Sequence, residues 1–233
     1  IKWLRSHQRV EIRQTDPLKL DWTKADRVAD AFRANDLLLM NDIAAWSGEI
    51  PRIAGKPITY YDGRKANILP RPQDFNLFSQ IVTETVARYR DFMPAGFVWN
   101  EPWEGGSISN HHQTGEYYRN LLQTAYLAAK RADPEFLVLA NDSISNFEDS
   151  IQCIPHMTDF VDVVSHHVTW SDNRGAVQSH VLGKPAWETE DWESTYDAYI
   201  LGNLTMKLAG GFEKSNPAAE AMWMITPGMS QIG

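Results

Sequence analysis

Short apolar runs alternate with longer stretches of helical periodicity along most of the chain. The run IKWLRS at residues 1–6 predicts a strand, and a polar loop follows it. In DWTKADRVADAFRAND, Ala25, Val28, Ala29 and Phe32 recur at the spacing of one helix face, with Asp21 placed as the N-cap. LLLMNDIA predicts a buried strand. Residues 46–72, rich in Pro, Gly and Tyr, form a long connection of the kind that is usually functional or disordered. A helix over 74–90 carries Phe75, Phe78, Ile81, Val82, Val86 and Tyr89 on one side, and AGFVWNEP is the next strand. TGEYYRNLLQTAYLAAKRADP predicts a strong helix with Lys130 and Arg131 in its last turn and Asp133-Pro134 as its stop. FLVLAND is a strand, 147–154 a short helix, and DFVDVVSHHV and KPAWETE two further strands. A helix over TYDAYILGNLTMKLAGGF leads to a last strand, AEAMWMITP.

This alternation is that of repeated βα units over a parallel sheet, and about seven strands recur at the interval of a (β/α)8 TIM barrel. No GxGxxG follows the first strand, which disfavours a dinucleotide-binding sheet. The expected architecture is a single α/β barrel domain over 1–233. It corresponds to strands two to eight, with the first strand and the last helix lacking and the domain truncated at both ends. The chain begins at Ile1, so the lack of a targeting segment carries no weight.

The bulk properties narrow the partners. The chain has 233 residues, 43% of them hydrophobic and 22% charged, and no apolar run long enough to predict a membrane helix. A net charge of −8 without a basic stripe argues against nucleic acid. Cys153 is the single cysteine, so neither an internal disulfide nor a Cys-based zinc site is available. Aromatic residues make up 11%, several of them beside polar clusters where ligand platforms also occur.

Candidate chemistry follows from the strand ends. In a barrel all C-terminal strand ends meet at one rim. Here they read Arg5-Ser6-His7, Asn41-Asp42, Asn100-Glu101, Asn141-Asp142, His166-His167, Glu188-Thr189-Glu190 and Thr226. Two carboxylates at the ends of strands separated by two others face each other across such a rim. Glycosidic cleavage suits that pair: one protonated carboxyl donates to the leaving oxygen while the other, ionised, attacks or positions water. Arg5 is placed to hold the second carboxylate ionised.

WNEP at the end of one strand, and KPAWETEDW with its Thr-Glu three strands later, resemble the clan A glycoside hydrolases. IKWLRS, DWTKADRVADAFRANDLLLM and DVVSHHV are similar to that clan's second strand, its helix and third strand, and its sixth strand. The look is nearest to β-xylosidase-like family 39. The resemblance covers nearly the whole chain in order. It implies a retaining enzyme with Glu101 as general acid/base, Glu190 as nucleophile and Asn100 on the sugar 2-hydroxyl. It also implies Arg5 as support to the nucleophile, His167 as the rim histidine and Trp223 as an aromatic floor. Asp42, Asn141 and Trp170 complete the expected substrate-binding set. An oligosaccharide or polysaccharide is the expected substrate, no cofactor or metal is expected, and the family favours a secreted or periplasmic location.

Departures and alternatives accompany this reading. The clan often carries a Tyr two residues after the sixth-strand His, where this chain has Thr169 with Trp170 beside it. Glu188 lies two residues before Glu190, so strand alternation places both on one face. It is either a buried layer residue paired with a cation or a rival nucleophile; Glu190 is preferred for standing directly after Thr and nearer the rim. His166 and His167 face opposite sides, and His167 is assigned to the rim. Tyr60, Tyr61, Trp103 and Glu104 are sugar-stacking walls or ordinary loop residues, and His111-His112 touch substrate or solvent. A metal site from Asp42, His112 and Asp142 has no recognisable ligand spacing. The competing reading from another class is a non-catalytic glycan-binding barrel.

Overall fold

The computed structural model describes residues 3–6, 13–16, 19–43, 75–99, 115–140, 157–168 and 183–191. Six strands form one sheet: β1 (Trp3–Ser6), β4 (Leu38–Asp42), β5 (Ala95–Phe97), β6 (Leu137–Ala140), β7 (Val163–Val168) and β8 (Ala186–Asp191). They lie side by side in that order and every pair is parallel. Three α-helices belong to the described residues, α1 (Thr23–Ala34), α2 (Phe75–Tyr89) and α3 (Gly115–Ala132), with a short 3-10 helix at Met157–Phe160. No helix among them is long and apolar enough to cross a membrane.

The two faces of the sheet carry different cores. Leu39, Ile43, Val98, Val138 and Ala140 pack with Ala25 and Ala29 of α1 and with the apolar stripes of α2 and α3. The opposite face holds a smaller cluster of Met40, Ala95, Phe97, Leu139, Val163 and Trp187, with Trp3 and Leu137 against it. Apolar residues on both faces are the signature of a parallel sheet covered on both sides.

A single contact fixes the curvature. Trp3 lies on β1 and Trp187 on β8, the two outermost strands of the sheet. Laid flat, those strands would be five steps of about 4.8 Å apart, or roughly 24 Å. Their rings meet edge to face with centroids 6.1 Å apart. The sheet therefore curls until its outer strands share one interior, which is the bend a (β/α)-barrel wall requires.

The connections show why the elements stop where they do. Asp21 Oδ1 accepts from both the amide and the hydroxyl of Thr23, at 2.9 and 2.6 Å. Its carboxylate thus serves the helix start, although Trp22 is the residue that borders α1. At the other end Asp36 adopts φ 50°, with Asp36 N–H bonded to Arg33 C=O and Leu37 N–H to Phe32 C=O. That pattern closes the last turn and turns the chain directly into β4. Two bidentate pairs fasten α1 to the end of α2: Arg88 on Asp26, and Arg33 on Asp91 just beyond it. The Arg88 guanidinium holds the Asp26 carboxyl below its usual range. Both pairs are largely solvent-exposed, so each contributes no more than about 1 kcal/mol.

At the N-terminal ends of the strands lies a tighter knot. Lys130 Nζ meets Asp162 Oδ2 at 2.9 Å and donates to the carbonyls of Pro134 and Phe136. The same Asp162 oxygen accepts the Val138 amide at 2.8 Å, joining α3, β6 and the entry to β7.

Three expectations need correction. The stretch read as a polar loop after β1 contains a two-stranded antiparallel ribbon, β2 (Arg13–Asp16) and β3 (Lys19–Asp21). Val28 is not on the buried face of α1 but 39% exposed; the fully buried residues of that helix are Ala25 and Ala29, with Phe32 partly buried against the core. The strand read as AGFVWNEP ends at Phe97, and Val98 and Trp99 form a bend. The long connection over 46–72, the helix expected over 147–154, and the final helix and strand lie outside the described residues.

Gly96 is set where β4, β5 and the start of β6 converge. A Cβ there would stand 2.6 Å from Ile43 Cγ2 and 3.1 Å from both the Asn41 carbonyl and Phe136 Cζ. Ile43 is β-branched and cannot swing clear. Gly96→Ala should lower stability by about 1–3 kcal/mol, read as a reduced denaturation midpoint. A midpoint equal to that of the parent would show that the sheet can yield there.

Candidate active site

The parallel strands send their C-terminal ends to one rim, to which all six strands of the sheet contribute. Asp42 is the last residue of β4, paired with Phe97 across to β5 and 8% exposed. Its Oδ1 accepts the Trp99 amide at 3.1 Å. The ladder itself delivers the Ile43 amide to the Phe97 carbonyl at 2.9 Å. In a continuing parallel ladder the Trp99 amide would go to the Ile43 carbonyl. A side chain takes that amide, and the strand ends.

Trp99 has φ 70°, a left-handed conformation that is uncommon for a bulky residue. Its side chain is buried at 4% exposure in the helix-side core. The preceding Val98 is held on both of its polar groups: its amide donates to the Leu139 carbonyl at 3.0 Å, and its carbonyl accepts from the buried Tyr118 hydroxyl at 2.8 Å. The bend that leads into Asn100 and Glu101 is thus fixed by β4, β6 and α3 together.

On the far side, β7 and β8 pair Ser165 with Trp187 and His166 with Glu188. The register then slips, and His167 pairs with Glu190. One extra residue, Thr189, is accommodated on β8 between Glu188 and Glu190, the local irregularity of a β-bulge. Thr189 and Ser165 are fully buried, with their hydroxyl oxygens 2.8 Å apart. This pair tethers the slipped segment to β7 one residue ahead of Glu190.

Of the expected site residues, the structure brings Asp42, His167 and Glu190 to the C-terminal rim by strand position. Arg5 pairs with Met40 on β4, one alternation step below Asp42. Asn100, Glu101, Asn141, Trp170 and Trp223 lie outside the described residues, as do His111, His112, Thr169, Tyr60, Tyr61, Trp103 and Glu104. Among the described residues no three His, Cys, Asp or Glu side chains are grouped to hold a metal ion. Asn41 Oδ1 and Trp187 Nε1 are buried without a hydrogen-bond partner among the described residues.

The sequence did not single out Tyr118 or Ser165, and it marked Thr189 only as the neighbour of Glu190. A tyrosine on a helix and hydroxyls inside strands read as ordinary packing. Only register and hydrogen bonding reveal that they border the carboxylate-bearing segments.

No family model matches the chain, and no curated protein matches it in sequence. The fold, by contrast, is one seen among solved clan A glycoside hydrolases. The chain superimposes on xylanase 10B from Thermotoga petrophila, solved with xylobiose, at TM-score 0.63 and 16% identity, covering 97% of this chain and 73% of that one. A family 39 β-xylosidase from Caulobacter crescentus gives TM-score 0.65 and 18% identity, covering 97% of this chain and 55% of the other. A family 30 subfamily 8 xylanase from Clostridium acetobutylicum gives TM-score 0.63 and 14% identity, covering 98% and 58%. These are likenesses of fold, and they agree with the clan A barrel implied by the sequence.

The Ser165–Thr189 pair yields a check on the slipped strand. Ser165→Ala or Thr189→Val alone removes this buried hydrogen bond and should cost about 1–3 kcal/mol. The double variant should cost less than the sum of the two, measured as a double-mutant cycle in denaturant. Additive costs would show that the hydroxyls do not act as a pair.

Proposed function

We propose that the chain is the catalytic (β/α)8-barrel unit of a retaining glycoside hydrolase. Glu101 serves as general acid/base and Glu190 as nucleophile. One observation carries the reading. A single curled parallel sheet carries Glu190, paired with His167, at the last residue but one of β8, on the rim where the bend after β5 leads on to Asn100-Glu101. The solved xylanases and xylosidase of the same fold support it, as does the order of motifs along the chain.

The chemistry follows from the two carboxylates. Glu190, ionised, attacks the anomeric carbon while Glu101, protonated, donates to the departing oxygen; a covalent glycosyl-enzyme results. Glu101, now ionised, takes a proton from the water that releases the sugar. Such a cycle needs carboxyl groups roughly 5–5.5 Å apart and pKa values held apart, that of the acid above that of the nucleophile. Arg5 serves to keep Glu190 ionised. Asn100 binds the 2-hydroxyl, and Trp223 forms the floor of the sugar subsite. Asp42, Asn141, His167 and Trp170 complete the rim set. We read the chain as strands two to eight of the barrel, the six strands of the sheet being strands two to seven. Xylo-oligosaccharides and aryl β-xylosides are the first substrates to try, because xylan-active enzymes recur among the similar folds.

Aryl β-xylosides should be hydrolysed with retention, seen as the β-anomer by NMR before mutarotation. Glu190→Ala should abolish turnover, and azide should partly restore it on an activated aryl glycoside, giving a glycosyl azide of inverted configuration. Full activity in that variant would refute the nucleophile. Calorimetric binding of xylo-oligosaccharide with no hydrolysis on long incubation would replace the enzyme by a glycan-binding barrel.

A further inference from the structure

The bend after β5 is held more firmly than a strand end requires. Trp99 sits at φ 70°, which for a non-glycine residue costs on the order of 1–3 kcal/mol and persists only where the surroundings over-determine it. Three groups do so here: Asp42 on the Trp99 amide, Tyr118 on the Val98 carbonyl, and the Leu139 carbonyl on the Val98 amide. Two of these are buried side chains drawn from different elements. Neither position is needed to continue the sheet, because the ladder between β4 and β5 is already complete at Phe97.

We propose that Asp42 is a positioning residue for proton transfer. With Tyr118, it locks the left-handed turn at Trp99 and so sets the direction in which Asn100 and Glu101 leave the sheet. This rests on the reading of Glu101 as the acid/base. Asp42 acts through the backbone: its carboxylate takes the amide that the ladder would otherwise claim, which bends the chain out of the strand two residues before Glu101. A turn left to relax toward ordinary β geometry would carry Glu101 away from the glycosidic oxygen. An acid misplaced by even about 1 Å loses much of its effect.

The test uses leaving groups. Phenyl β-xyloside departs only when protonated, whereas 2,4-dinitrophenyl β-xyloside departs without help. Asp42→Ala should lower kcat/KM for the phenyl substrate at least about tenfold more than for the dinitrophenyl one, a share of the 10²–10⁴ that a general acid supplies. Its basic pH limb should shift. Asp42→Asn keeps an acceptor oxygen and should recover most of the loss, and Tyr118→Phe should fail in the same direction as Asp42→Ala. Amide hydrogen exchange at Trp99 should speed up in Asp42→Ala and not in Asp42→Asn. Equal losses on both substrates, or unchanged exchange at Trp99, would overturn the proposal. Glu101→Ala separates the two readings. If it shows the leaving-group dependence and Asp42→Ala does not, only the role of Asp42 falls. If Glu101→Ala lacks that dependence, the acid/base assignment falls and this inference falls with it.

Discussion

The contact between Trp3 and Trp187 is the constraint on which the rest of the molecule turns. Each ring belongs to an outer strand, and their meeting in one interior forces five successive strand pairs to bend the same way. Once the sheet is curled, its concave side must be filled, and Met40, Ala95, Phe97, Leu139 and Val163 fill it. Its convex side must be covered, and the three helices cover it. Its strand ends must also converge, because parallel strands around a common axis finish on the same ring. Polar residues at those ends then become neighbours although they lie far apart in sequence. Asp42 and Glu190 are separated by almost the whole described chain, and the curl returns both to one rim.

Both segments that carry the candidate carboxylates break the regular ladder. Near β5, a side chain captures the amide that the neighbouring strand would have received, and a tryptophan is held left-handed. Near β8, an inserted residue slips the register, and a buried hydroxyl pair braces the slip. A perfect ladder would fix every side chain by alternation alone. Departures from it let a residue be aimed independently of the strand that delivers it.

Much of the fold was legible because it depends on simple periodicities. The stripes of α2 and α3 are visible as apolar spacing, and the parallel strands as short runs between them. The rim could be read as well, since strand ends in a parallel sheet share a side whatever residues they carry. What escaped depends on specific geometry. The β2–β3 ribbon has Leu20 as its one apolar residue and carries no hydrophobic alternation, so it reads as loop. Val28 fits the helix stripe by spacing, but the small side chains of Ala25 and Ala29 bring the helix so close that only they are enclosed. A left-handed Trp99 runs against the preference of its own residue type; it exists because Asp42 and Tyr118 impose it from elsewhere in the chain. The register slip between Glu188 and Glu190 was not visible either, as alternation cannot foresee a slip.

The Lys130–Asp162 knot ties one helix and two strands at the end of the sheet opposite the rim. A molecule fastened at its base can change its upper loops without loosening its foundations. Evolution is then free to lengthen, shorten or rewrite the rim segments. That division of labour accounts for a chain that keeps the architecture of xylan-degrading enzymes while sharing less than a fifth of its residues with those compared here.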